Sequence, residues 1–61
     1  MLTADEIRDR LRRLSDATAL AVLVELQGNR VYEAERLAMG ELSADGAHEL
    51  IASIVRGTVR S

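Results

Sequence analysis

The stretch from residue 21 to 38, "AVLVELQGNRVYEAERLA", constrains the fold of this chain more than any other. Apolar residues crowd both sides of Gly28-Asn29, and that pair interrupts either of two structures. Read as strands, "VLVEL" and "RVYEAER" flank a tight turn, with Gly28 at the first central position of a type II′ hairpin. Read as helices, residues 17–27 and 31–39 are two segments rich in Ala, Leu and Glu, capped by Ser15 or Asp16 and stopped at Gly28.

The strand reading is preferred here. Val22, Val24 and Val31 are β-branched, and Tyr32 favours a pleated surface. Register stays open. A two-residue loop pairs Leu26 with Val31 and sets Glu33 opposite Val24. A three-residue loop gathers Val22, Val24, Leu26, Tyr32 and Ala34 on one face but opposes Glu25 to Glu33.

The flanks are helical. Thr3 followed three residues later by Glu6 makes a capping box, and Ala4, Ile7, Leu11 and Leu14 recur at helical spacing. Glu6 with Arg10 and Asp9 with Arg13 are acid-first pairs four residues apart. Near the other end, "SADGAHELIASIVRG" begins at Ser43 as N-cap, buries Ala47, Leu50, Ile51, Ile54 and Val55, and stops at Gly57. The expected fold is therefore α+β: one small α-β-β-α domain over residues 1–57, with a two-stranded hairpin between two helices and residues 58–61 as a tail. The alternative is an all-α domain of three or four helices, arranged like a helix-turn-helix.

With 61 residues, the core supplies no more than about 3–5 kcal/mol. No cysteine is present and there is one histidine, so neither disulfides nor a structural metal reinforce it, and a partner chain, or a larger protein of which this is one end, is the remaining support. No apolar run reaches membrane-spanning length and the first ten residues are acidic, so the cytoplasm is the expected location.

The segments "EIRDRLRRL", "LQGNRVY" and "GELSADG" together resemble the small β-hairpin docking domains, of the tubulysin type, at the N-termini of nonribosomal peptide synthetase and polyketide synthase subunits. That resemblance implies a bacterial docking module that captures a short linear peptide of a partner subunit by strand addition to the hairpin edge. It places the edge on the second strand and makes Arg30, Val31, Tyr32, Glu33, Ala34 and Arg36 the partner-binding residues. Arg30 and Arg36 would pair with peptide carboxylates, and Tyr32 would supply contact area.

Catalysis is not expected. The sole histidine, His48, flanks an apolar helix stripe, and no nucleophile, metal-ligand cluster or phosphate loop accompanies it, so no cofactor is expected either. Nucleic acid is disfavoured as a partner: in residues 1–16, Arg8, Arg10, Arg12 and Arg13 are balanced by Asp5, Glu6, Asp9 and Asp16, and the last helix carries Asp45 and Glu49 where a DNA reader needs uncompensated Arg. Two other readings stand beside the docking module. One is a homodimer packed through Ile7, Leu11, Leu14 and the helix from residue 44, and the other is a small helix-turn-helix regulator.

Overall fold

The computed structural model describes residues 2–59. They form four helices: α1 (Ala4–Arg12), α2 (Asp16–Gln27), α3 (Val31–Met39) and α4 (Ala44–Val59). The expected α+β fold and its β-hairpin are overturned, since the described residues contain no strand and the all-α alternative describes them.

The reason lies at Asn29. A type II′ turn needs positive φ at Gly28, yet Gly28 has φ −89° and the left-handed residue is Asn29, at φ 61°. The Asn29 N–H donates to the Leu26 carbonyl at 3.1 Å, and the Arg30 N–H reaches back to the Glu25 carbonyl at 2.9 Å. These two bonds are the Schellman closure of a helix, in which one left-handed residue satisfies the last carbonyls. Asparagine accepts that conformation better than most residues because its short polar side chain tolerates it.

Two of the three β-branched residues are accommodated by packing, while Val24 stays 48% exposed. Val22 is fully buried and Val31 lies half-buried against the core, so tertiary contacts outweigh the modest helix penalty of valine. The start of α2 is fixed by Ser15, whose hydroxyl accepts from the Thr18 N–H at 3.3 Å.

The core consists of Leu14, Val22, Ala34, Ala38, Ala47, Leu50 and Ile51. Three of these seven side chains are alanine, so the helices approach closely around little apolar volume. The most extensive packing is α2 on α3, followed by α3 on α4, while α1 lies more thinly on α4 and α2. Ile7, Leu11 and Leu14, the expected dimer stripe, face this same core and are occupied within the monomer.

Elsewhere the helix ends agree with expectation, with two differences. The capping box is present: Glu6 N–H donates to Thr3 Oγ1 at 3.2 Å, and Thr3 N–H donates to Glu6 Oε1 at 2.9 Å. Asp9 pairs with Arg13 at 3.5 Å, but Glu6 is engaged in the cap, and Arg10 instead reaches Glu49 on α4 at 3.4 Å. At the other end, α4 runs through Gly57, the expected stop, to Val59, and residues 60 and 61 of the expected tail lie outside the described residues.

Candidate functional site

Helix α3 carries the residues expected to form a strand edge. Arg30 precedes its first turn and its guanidinium Nε donates to Glu25 Oε2 at 3.0 Å. Ala34 is fully buried between the helices and Val31 is packed against the core, so neither faces a partner. Tyr32, Glu33 and Arg36 are exposed, and Tyr32 and Arg36, four residues apart, share the solvent side with Met39. Helical backbone satisfies its own N–H and C=O groups, so this segment offers no unpaired edge for strand addition.

A different surface stands out on α2. This helix is apolar almost all round, a pattern that usually means burial on every side, yet it packs on one side only. Ala19, Val22 and Leu26 turn inward. Leu20, Leu23 and Val24 turn outward, with relative exposures of 64%, 42% and 48%. From Ala17 to Val24 no residue is charged; Asp16 and Glu25 bound the stretch, and Glu25 is paired with Arg30.

The outward face has a regular seam. Asp16, Leu20, Leu23 and Gln27 follow one another at spacings of four, three and four, which aligns them along one line of the helix. Beside its C-terminal half, Leu23, Leu26 and Gln27 of α2 and Ile54 of α4 line a groove of 280 Å³. That volume falls just below the range of small-molecule sites.

The α3 face is broken by charge. Arg36 separates Tyr32 from Met39, and isolated apolar residues of this kind are ordinary on soluble surfaces. Helix α4 offers a second groove, of 290 Å³, lined by His48, Glu49, Ala52, Ser53 and Arg56. Three of its four polar members already have tasks: His48 Nδ1 lies 3.3 Å from Glu35 of α3, Glu49 holds Arg10, and the Ser53 hydroxyl accepts from the Leu2 N–H at 3.2 Å.

The N-terminus of α2 is also engaged. Glu41, in the link between α3 and α4, accepts from the Ser15 N–H at 2.6 Å, the Ser15 hydroxyl at 3.0 Å and the Thr18 hydroxyl at 2.9 Å. The Ser15 backbone bond, then the Thr18 and Ser15 hydroxyls, hold the Glu41 carboxyl below its usual range. The clamp joins the α1–α2 corner to the α3–α4 link and fixes the direction of α2.

Among the described residues no group of three His, Asp or Glu is placed to hold a metal, and no helix is long and apolar enough to cross a membrane. Comparison with known proteins returns no match: no family model, curated protein or solved structure is significantly similar to this chain.

Proposed function

We propose that this chain is an all-helical protein-interaction domain that works in the cytoplasm and binds through the outer face of α2. The observation that carries this reading is the outward apolar face of Leu20, Leu23 and Val24, in a stretch without charge, on a helix whose other side already fills the core. The thin, alanine-rich core supports it, because a domain this small gains stability when a partner covers exposed apolar surface. A chain without cysteine also has no need of an oxidising compartment.

The order α2-α3-α4 is that of a helix-turn-helix, but the charge distribution opposes DNA reading. The solvent side of α4 presents Asp45, His48 and Glu49, with a single Arg, Arg56, confined to its last turns. Duplex binding needs uncompensated positive charge and a side chain able to make bidentate base contacts. Duplex DNA at low salt is therefore expected to leave the protein unbound.

The test is a photo-crosslinking side chain placed at Leu23 in the host cell, compared with the same group at Glu33 on α3. An adduct of defined mass at Leu23 and none at Glu33 is expected. No adduct at Leu23, or equal adducts at both positions, contradicts the reading.

A further inference from the structure

We infer that α1 is a hinged lid on α4: residues 2–12 release as one unit, turning at Arg13, while α2, α3 and α4 stay packed together.

The apolar hold on α1 is weak. No residue of α1 is buried, and Ile7 and Leu11 are only partly covered where they meet the core. Of the seven core side chains, six belong to α2, α3 and α4, and the seventh, Leu14, follows α1. Contact of α1 with α4 and α2 is thinner than that of either helix with α3. Release of α1 therefore gives up little burial and leaves the core contacts standing, the pattern of a segment that opens below the free energy of global unfolding. It releases as a whole because its nine residues are too few to hold a helix in water without the docked face.

The hinge is fixed from its far side. Leu14 is buried, and the N–H and hydroxyl of Ser15 both donate to the Glu41 carboxylate, at 2.6 and 3.0 Å. These two residues stay with the three-helix body, so release stops at Arg13.

Two polar latches hold the ends of the lid to α4. Near one end the Leu2 N–H donates to the Ser53 hydroxyl at 3.2 Å, and near the other Arg10 meets Glu49 at 3.4 Å. The acceptors of both latches, Ser53 and Glu49, line the groove on α4. With α1 latched, the hydroxyl and the carboxylate are occupied; with α1 released, both are available and Ser53, the buried polar side chain of the described residues, meets solvent. The lid thus gates the polar character of that groove. Salt screens the partly exposed Arg10–Glu49 pair, so release increases with ionic strength.

Native-state hydrogen exchange of the full chain, followed residue by residue by NMR, tests the lid. The amides of Arg8 to Arg12 are expected to share one protection, lower than that of Leu50 and Ile51 by about tenfold or more. Arg10→Gln is expected to speed exchange of the α1 amides about two- to fivefold, and Ser53→Ala about two- to tenfold, with the amides of α2, α3 and α4 unchanged. Protection of α1 equal to that of Leu50 and Ile51 would overturn the lid, as would equal acceleration of all four helices in both variants. Rates that rise steadily toward Thr3 and ignore both substitutions would mean fraying from the end, and would overturn release as a unit.

Discussion

Arg30 closes the turn between α2 and α3 on Glu25 twice: its backbone N–H donates to the Glu25 carbonyl at 2.9 Å, and its guanidinium Nε donates to the Glu25 carboxylate at 3.0 Å. Residues five apart meet in this way only because Asn29 between them is left-handed. A Schellman closure commonly carries an apolar contact between these two positions, and here an ion pair takes its place. Gly28 leaves the room, since a Cβ there would meet the Arg30 guanidinium.

Asn29 therefore governs the corner. Asn29→Val puts a β-branched residue at positive φ and is expected to destabilise the domain by about 1–2 kcal/mol, whereas Asn29→Gly is expected to be neutral or slightly stabilising. Urea denaturation of the two variants beside the parent checks this. Equal stability of all three would mean that the turn is not left-handed at this position.

The spacing between α2 and α3 is set by alanine. Ala34 is fully buried, so Ala34→Leu forces extra volume between the helices and is expected to cost about 1–3 kcal/mol. Leu50→Ala empties the middle of the core and is expected to cost about 2–5 kcal/mol, comparable with the whole stability of so small a domain. Its circular dichroism should show an unfolded or largely unfolded chain at room temperature. A well-folded Leu50→Ala variant would place the core elsewhere.

Acid should loosen the α1–α2 corner. The Glu41 carboxyl is held below its usual value by Ser15 and Thr18, and that of Glu6 by Thr3. A carboxyl depressed in the folded state contributes stability that is fully present above the unfolded value, near 4.5, and is lost as the pH falls through the folded value. Thermal unfolding should accordingly fall off below that point, and Glu41→Gln should flatten the acid limb. An unchanged acid limb in Glu41→Gln would assign the pH dependence to other carboxylates.

The parts of the fold with one clear apolar stripe were legible in the sequence. Thr3 and Glu6 announce the start of α1, and Ser43 with Ala47, Leu50 and Ile51 announces α4, because in each a single side is buried and the period shows. The middle was not legible, for a physical reason. Residues 17–24 are apolar on the face that fills the core and again on the face that meets solvent, which erases the helical period. Valine then tips a propensity argument toward strands, and "GN" serves a hairpin turn and a left-handed helix cap equally, since both need one residue at positive φ.

The same property hid the candidate site. Attention fell on Arg30 to Arg36 because a strand there would have had an edge, while the seam Asp16, Leu20, Leu23 and Gln27 becomes visible only once α2 is known to be a helix with Val22 inward. The surplus of apolar residues that obscured the fold is what the proposed interface uses.

The most direct test of the α2 interface is the photo-crosslinking group placed in turn at Leu20, Leu23 and, for comparison, Glu33 in the host cell. Adducts of one defined mass at Leu20 and Leu23, and none at Glu33, are the predicted result. No adduct at either leucine, or equal adducts at all three positions, would contradict binding through this face.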